Sequence, residues 1–253
     1  MWPVSKERKI IIFAHPRSGS STLRTALNVH PFISLMLEPF HHDRRAWNEH
    51  YINYKEKIHS TADLDAALQN IYKLNNGFKT LRQQLPRELN QHMFETLDPS
   101  DKIILIHREN VLQTAVSIFI SLQIDMWIGA KRMQRVIADN GLEPISIDGL
   151  KNTMESQKEI RTHYKEFLTK IGRSFYEVTY EELYSPEPSV RRAKILDIFN
   201  YLELFEPNKF SMRHIERLLS PAQKVNSIRT YRRIPNIDEI NATLGSKEDG
   251  YLF

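Results

Sequence analysis

Residues 10–22 read IIIFAHPRSGSST. The first five are apolar and mostly β-branched, which predicts a strand that is buried on both faces. Pro16 and Gly19 mark a tight turn after it, and residues 20–28 place Leu23 and Leu27 one helical turn apart. A buried strand, a short loop and a helix in this order are typical of an α/β domain with a parallel sheet.

The same order recurs along the chain. Residues 102–107 are the clearest second strand, and Asn110 with Gln113 three residues later predicts the start of a helix that runs toward Ala138. Further strands are predicted at 32–37, 77–81 and 174–179, and further helices at 44–72, 148–171 and 190–202. We therefore predict one P-loop-containing domain over 1–253, a three-layer α/β/α fold with a mainly parallel central sheet and a helical elaboration at about 118–172.

Composition narrows the classes of function. The chain has 253 residues, 41% of them hydrophobic, and a formal net charge of +4 without a dense Lys/Arg tract, so we expect no nucleic-acid partner. It has no cysteine, which excludes thiolate catalysis, disulfides and cysteine-ligated zinc. We expect no secretory signal in residues 1–9, no membrane span and a cytoplasmic location.

The loop after the first strand has the properties of an anion site. Free N–H groups and the positive end of the helix dipole meet at a helix N-terminus, where phosphate and sulfate bind well. Gly19 lets the backbone wrap closely around a ligand, and Arg17 offers a planar fork of donors for a tetrahedral oxyanion. Nearby hydroxyl groups can donate further hydrogen bonds: Ser18, Ser20, Ser21 and Thr22.

Two other interpretations of this loop remain open. A Walker A loop would have a glycine at Ala14 and a lysine at Ser20, so a kinase reading requires a degenerate loop. The missing lysine counts against transfer of phosphoryl groups from ATP or GTP. The serines can also serve simply as caps of the helix.

A second anion site is predicted after the strand at 102–107. Arg108 lies at the carboxyl end of that strand, where open α/β sheets bind their ligands, and Ser117 follows two turns into the next helix. The alternative is that Arg108 pairs with a surface carboxylate. Two anion sites on two strand–helix units fit a ligand phosphorylated at two separated positions, such as 3′-phosphoadenosine 5′-phosphosulfate.

These two motifs carry a resemblance to a known family. Residues 15–23 resemble the 5′-phosphosulfate loop of sulfotransferases, in the arginine form of the bacterial carbohydrate and nodulation-factor type. Residues 105–117 resemble the family's 3′-phosphate motif, with weaker similarity at 38–40, 77–79 and 180–183. Residues 233–236 resemble the late basic segment that closes over the nucleotide, which implies donor contacts from Arg229 and Arg233. The chain departs from the cytosolic aryl and steroid enzymes, which have a lysine in place of Arg17 and a glycine-rich late loop.

The resemblance implies an enzyme that moves a sulfuryl group from 3′-phosphoadenosine 5′-phosphosulfate to an acceptor hydroxyl, without a metal. We expect the acceptor to be a carbohydrate or a lipid-linked molecule, and the protein to be a monomer or homodimer. A non-catalytic module that binds a nucleotide or a sulfated glycan is a third alternative, beside the sulfotransferase and the kinase.

Four residues are catalytic candidates. Arg17 is predicted to stabilise the charge that builds on the bridging oxygen. Glu38 is the preferred base for the acceptor hydroxyl, because it follows the second strand, which in a parallel sheet places it beside the loop, and the resemblance implies a glutamate in a comparable position. A glutamate serves best as a base where burial raises its pKa toward neutrality, and the alternative is a surface glutamate before Pro39. His41 is an alternative base, as is His42. A metal site at His41, His42 and Asp43 is not expected, since adjacent side chains rarely reach one ion.

Overall fold

The computed structural model describes residues 8–41, 57–127, 130–204, 211–221 and 228–253. Its central sheet has five strands: β1 (Ile10–Ala14), β2 (Leu35–Leu37), β3 (Gly77–Leu81), β4 (Lys102–His107) and β5 (Tyr176–Thr179). Their order is β2-β3-β1-β4-β5, and every pair of neighbours is parallel. The predicted parallel sheet is therefore confirmed.

Within the described residues, one α-helix separates each pair of successive strands from β1 to β4, three lie between β4 and β5, and five follow β5. The helices are α1 (Ser20–Leu27), α2 (Thr61–Leu74), α3 (Arg87–Glu95), α4 (Val111–Gln123), α5 (Ala130–Asn140), α6 (Ile147–Lys170), α7 (Tyr180–Leu183), α8 (Pro188–Tyr201), α9 (Met212–Leu218), α10 (Ile228–Tyr231) and α11 (Ile237–Leu244). A short 3-10 turn, Arg82–Gln84, links β3 to the segment before α3.

Strand β1 is central because both of its faces are covered. Its five residues are all buried, and it pairs with β3 on one side and β4 on the other. Alternate side chains enter two different cores: Ile10 and Ile12 pack with α1, α8 and α9, whereas Ile11 and Phe13 pack with α2, α3 and α6. The three-layer α/β/α prediction is thus confirmed.

A third cluster of buried residues lies beside the sheet. It joins α4 to parts of α5, α6, α10 and α11. The prediction that the helix after Asn110 continues toward Ala138 is wrong, because α4 ends at Gln123. Asp125 takes a left-handed conformation (φ 48°) and Met126 N–H donates to the Ser121 carbonyl, which is the hydrogen-bond pattern of a Schellman helix end.

Strand β2 is shorter than predicted. Ile33 N–H donates to the His30 carbonyl, so residues 30–33 form a turn, and the strand begins only at Leu35. The part of the predicted helix at 44–56 lies outside the described residues, and α2 begins at Thr61 after the Ser60 cap. Across the described ranges, no helix is both long and apolar enough to cross a membrane.

Candidate functional site

The loops that carry the predicted residues lie at one edge of the sheet. Because β1 to β4 are parallel, their carboxyl ends meet there, and open sheets of this kind bind ligands at this edge. Arg17 follows β1, Glu38 follows β2 and Arg108 follows β4. The fold therefore brings together side chains that are far apart in sequence.

The β1–α1 loop, His15–Gly19, ends in an open helix N-terminus. Gly19 is the residue before α1, it has φ 79°, and it gives the helix no side-chain cap. The first N–H groups of a helix have no partner inside the helix, so here they face the loop without a capping side chain. This arrangement leaves donors and a positive dipole end for an anion.

The hydroxyl groups of this segment are not equivalent. Ser18 is fully buried and its Oγ donates to the His15 carbonyl at 2.7 Å, so it holds the loop in shape rather than facing a ligand. Ser20 is also buried, whereas Ser21 and Thr22 are half-buried. The prediction that all four hydroxyls bind the donor stays a prediction, and Ser21 and Thr22 are the better placed pair.

Gly19 is required by a close approach as well as by its φ. A Cβ at this position would lie 2.5 Å from Cε2 of Tyr184, whose hydroxyl donates to the Gly19 carbonyl at 2.7 Å. The Tyr184 ring stacks on Tyr180 with 4.5 Å between centroids. This pair of rings supports the loop from the side of β5.

Arg17 connects the two predicted anion motifs. Its Nε donates to Ser117 Oγ at 2.8 Å and its Nη1 to the Trp127 carbonyl at 2.6 Å. Burial lowers the pKa of Arg17 from its usual value, and repulsion from Arg108 acts in the same direction. A guanidinium group between the two motifs, with a second one near it, forms a site that favours a multiply charged anion.

Arg108 is positioned by its neighbours. Its guanidinium carbon lies 4.4 Å from the centre of the Tyr180 ring, and Nη2 donates to Gln113. Glu181 is 3.7 Å from Nε, too far for a good hydrogen bond, and the buried Nε has no hydrogen-bond partner in the described ranges. The alternative reading, a simple surface ion pair, leaves this donor unexplained.

Tyr231 is a site residue that sequence reasoning missed. It is only 2% exposed, and its hydroxyl lies within hydrogen-bonding reach of the Arg108 side chain, although no hydrogen bond of good geometry to it is formed within the described part of the chain. Burial raises the pKa of Tyr231, while Arg108 and Arg17 act in the opposite direction, so both guanidinium groups are within electrostatic range. No signal short of the fold distinguishes this tyrosine from the other nine in the sequence.

The two late arginines predicted to bind the donor are placed differently. Arg229, on α10, and Arg233, after it, are both exposed, and Arg233 Nη1 donates to the Ile137 carbonyl near the end of α5. Their donor contacts remain predictions. The late segment instead contributes Tyr231 to the Arg17–Arg108 region.

Glu38 lies in a buried corner at the ends of β2 and β3. Its Oε1 pairs with Lys79 Nζ at 2.5 Å, and Oε2 accepts from Gln84 Nε2 at 2.8 Å. The side chains of Lys79 and Glu38 are 2% and 7% exposed. A neighbouring ammonium group favours the charged form of a carboxylate, so the corner holds a negative charge that is already matched.

Backbone strain marks the two preferred catalytic candidates. Within the described ranges, the non-glycine residues with positive φ are Arg17 (63°), Glu38 (48°), Asp125 and Glu203. The last two follow α4 and α8, where a left-handed residue commonly ends a helix. Arg17 and Glu38 have no such explanation, and strain of this kind persists mostly at functional sites.

The remaining candidate base is near Glu38. His41 N–H donates to the Glu38 carbonyl at 3.2 Å, which closes a turn after β2, and its catalytic role stays a prediction. His42 and Asp43 lie outside the described residues. Among the residues that the structure does describe, no three His, Asp or Glu side chains are grouped as metal ligands.

Comparison with known proteins gives structural neighbours. No family model and no curated protein sequence matches the chain. It is similar to mouse sulfotransferase SULT7A1 complexed with PAP, at 14% identity over 97% of this chain and 70% of that one, with a TM-score of 0.41. It is also similar to the sulfotransferase domain of the Synechococcus PCC 7002 olefin synthase, at 15% identity over 98% and 90% of the chains, with a TM-score of 0.39. We assign no residue role from either neighbour.

Proposed function

We propose that this chain is a sulfotransferase that moves a sulfuryl group from 3′-phosphoadenosine 5′-phosphosulfate to an acceptor hydroxyl. The observation that carries the proposal is the hydrogen bond from Arg17, in the β1–α1 loop, to Ser117, on the helix after β4. It joins the two motifs that were assigned to the two phosphorylated ends of one ligand. A donor with a single phosphate chain would not need both.

The charges of the site support a ligand of high negative charge. Two guanidinium groups repel each other, and the helix end between them has no side-chain cap. Two buried polar atoms beside them, Arg108 Nε and the Tyr231 hydroxyl, lack hydrogen-bond partners among the described residues. Such groups cost free energy when they are left unsatisfied, so a polyanion that accepts from them would be bound favourably.

The transfer step follows from the candidate roles. The acceptor oxygen forms a bond to sulfur while the bond from sulfur to the bridging phosphate oxygen breaks, and the nucleotide leaves as 3′-phosphoadenosine 5′-phosphate. Arg17 and the loop N–H groups stabilise the negative charge that develops on the departing oxygen. Glu38 takes the proton of the acceptor hydroxyl, and Lys79 holds its carboxylate in place.

We further propose a carbohydrate or lipid-linked hydroxyl as the acceptor. Trp127 supports a sugar, because its carbonyl contacts Arg17 and its indole is 42% exposed. Aromatic rings that are exposed close to a reactive centre give sugar rings a flat apolar surface.

The decisive experiment is calorimetric titration with 3′-phosphoadenosine 5′-phosphate and, separately, with ATP and magnesium. Wild type should bind the bisphosphate more tightly, and Arg108→Ala should weaken that binding at least tenfold. Arg213→Ala, which removes an exposed arginine of α9, is the control and should change the affinity less than twofold. A preference for ATP with magnesium would favour the kinase, and binding without release of the nucleotide product over a panel of acceptors would favour the non-catalytic module.

A further inference from the structure

A second group of basic side chains lies on the other face of the sheet from α1. We call it the basic cleft and define it by His15, Arg82, His107, Arg161 and Lys165. His15 and His107 each come directly after the last residues paired between β1 and β4, Ala14 and Ile106, and a small cavity of about 20 Å³ is lined by both histidines and by residues of α6. The cavity lining includes Phe13, Tyr164, Arg161, Lys165 and Glu177. Arg82 does not line this cavity itself, but Asn90 Nδ2 donates both to the Arg82 carbonyl at 2.8 Å and to the hydroxyl of the lining residue Tyr164 at 3.1 Å.

Arg82 is the unusual member of the basic cleft. It is half-buried in the 3-10 turn, and burial lowers its pKa to about 10. No carboxylate pairs with its guanidinium within the described ranges, and its Nε is buried without a hydrogen-bond partner. An arginine that is desolvated without a counterion is unfavourable, so an anion beside it would be stabilised.

The other cations of the basic cleft are only partly neutralised. Glu177 pairs with Lys165 at 2.7 Å and with Arg161 at 3.4 Å, and it lies 3.5 Å from His107 Nδ1. The single carboxylate of Glu177 is thus shared by two permanently charged cations, and within the described ranges Arg82 is a third cation without a carboxylate of its own. Glu182, which also acts on His107, is paired with Lys194 at 2.8 Å.

His107 adds a polar atom that has no described partner. Its side chain is 5% exposed, and its Nε2 is buried without a hydrogen bond within the described residues. Burial and Arg161 lower the pKa of His107 to about 4, and burial and Arg82 lower that of His15 to about 3, so both rings are neutral near pH 7. A neutral ring has one N–H, so His107 donates to an anion from Nε2 only in its Nε2–H tautomer.

The basic cleft adjoins both candidate catalytic residues. Gln84, in the same 3-10 turn as Arg82, donates to Glu38, and His15 lies two residues before Arg17. The cavity holds about one water-sized group, which is the size of a single oxygen atom. The remainder of a larger group would lie at the mouth, where Arg161 and Lys165 are 37% and 38% exposed.

We propose that the basic cleft binds an anionic group of the acceptor, a carboxylate, phosphate ester or sulfate ester, with one oxygen in the cavity beside His107 and the charge of the group facing Arg82, Arg161 and Lys165. The anion binding follows from the cleft itself, and its assignment to the acceptor rests on the proposed function. The acceptor class is then an acidic or already esterified sugar or lipid headgroup rather than a neutral alcohol.

Anion binding is tested first without any transfer reaction. Inorganic sulfate is titrated into the full chain, with and without 3′-phosphoadenosine 5′-phosphate, while the ring signals of His15 and His107 are followed by NMR. The bisphosphate arm separates the cleft from the β1–α1 loop. Both signals should shift with saturation, and Arg82→Gln should weaken the sulfate affinity at least tenfold.

The matched control is Arg87→Gln, which removes an exposed arginine five residues further along. It should leave the sulfate affinity within twofold. Sulfate should also raise the melting temperature of wild type more than that of Arg82→Gln. Wild type that does not respond to sulfate, or Arg87→Gln that loses as much affinity as Arg82→Gln, would overturn the inference.

Acceptor selection is tested with glucose, glucuronic acid and glucose 6-phosphate under saturating donor. We expect wild type to favour an acidic sugar, and Arg82→Gln to lower the ratio of kcat/KM for acidic over neutral sugar at least tenfold. If no sugar is sulfated while sulfate binding still depends on Arg82, the anion site stands and its assignment to a sugar acceptor is overturned, whereas the proposed function itself fails only if 3′-phosphoadenosine 5′-phosphate does not bind. If neutral and acidic sugars react equally and Arg82→Gln leaves their ratio unchanged, the acceptor assignment is overturned.

Discussion

The two catalytic candidates lie in opposite electrostatic surroundings. Arg17 contacts neutral acceptors, Ser117 Oγ and the Trp127 carbonyl, and is repelled by Arg108. Glu38 is instead held by Lys79 and by Gln84, so its charge is matched inside the protein. The Arg17 region carries excess positive charge, whereas the Glu38 corner is balanced.

This difference distinguishes a region that binds a ligand from one that can serve to stabilise the fold. Excess positive charge around a helix end is unfavourable in the free protein and becomes favourable when an anion arrives, so it indicates a ligand. A matched buried ion pair is compatible with a structural role as well as with a base. Variants of the Arg17 region should therefore lose mainly activity, whereas variants of the Glu38 corner should also lose stability.

The largest effect is expected at Arg17. Arg17→Gly removes the charge stabiliser and should lower kcat about 10³-fold, the usual loss for a missing oxyanion donor. The same change relieves the left-handed strain at φ 63°, so the melting temperature should stay the same or rise. Turnover and thermal unfolding measured on one preparation check both parts.

Asp125→Gly is the matched control for that variant. Asp125 has φ 48° at the end of α4, so glycine relieves the same kind of strain away from the candidate site. It should raise stability and leave kcat within twofold. Equal loss of kcat in the two variants would mean that Arg17 acts only through the shape of the backbone.

The next effect is expected at Glu38. Glu38→Gln removes the carboxylate that pairs with the buried ammonium group of Lys79, which should destabilise the fold by about 3–5 kcal/mol. Denaturant unfolding measures this loss. If the free energy of unfolding falls by less than about 1 kcal/mol, the ion pair between Glu38 and Lys79 does not stabilise the buried corner.

The double variant Glu38→Gln with Lys79→Met separates base from support. Replacing both partners of a buried pair is often close to neutral for stability, so this protein should fold. A folded double variant that has lost turnover supports Glu38 as the base. A folded double variant that still transfers sulfuryl groups removes Glu38 from the mechanism and leaves His41 as the candidate.

A smaller effect is expected from the support of the β1–α1 loop. Gly19→Ala introduces a Cβ 2.5 Å from the Tyr184 ring and imposes a left-handed conformation on alanine. We expect a loss of about 1–3 kcal/mol in stability together with weaker nucleotide binding. Gly141→Ala, which has φ 74° but open space around its Cβ, separates the two causes, and equal losses would show that Tyr184 is irrelevant.

The sequence predicted the central strands better than the edges. The bounds of β1 and β4 matched because strands buried on both faces are continuous apolar runs, of which Ile10–Ala14 is the clearest. The bounds of β3 matched as well, although this strand contains Lys79 and Thr80. The edge strand β2 is only three residues long, and its start is fixed by hydrogen bonds from distant residues such as Asn28 and Asn76. The end of α4 depends on a left-handed aspartate, which carries no glycine or proline signal.

The site divides in the same way. Local motifs placed Arg17 and Arg108 at the carboxyl edge of the sheet, because a strand followed by a loop is a property of neighbouring residues. Tyr231 and Arg82 could not be identified from local motifs, since their importance comes from burial and from the absence, among the described residues, of well-formed hydrogen bonds to their buried polar atoms. Those properties exist only once α10 and the 3-10 turn have packed against the sheet.

The smallest effect, and the sharpest test of excess positive charge, is expected at Tyr231. Tyr231→Phe removes a buried hydroxyl whose contact with Arg108 is not a hydrogen bond of good geometry, so stability should fall by less than about 1 kcal/mol. If that hydroxyl donates to the donor nucleotide, its loss should weaken binding of 3′-phosphoadenosine 5′-phosphate about 3–10-fold, or roughly 1 kcal/mol. Calorimetry with Tyr251→Phe, an exposed tyrosine, as control measures this. Unchanged affinity with lower stability would mean that the hydroxyl supports the fold and that the Arg17 region ends at its two arginines.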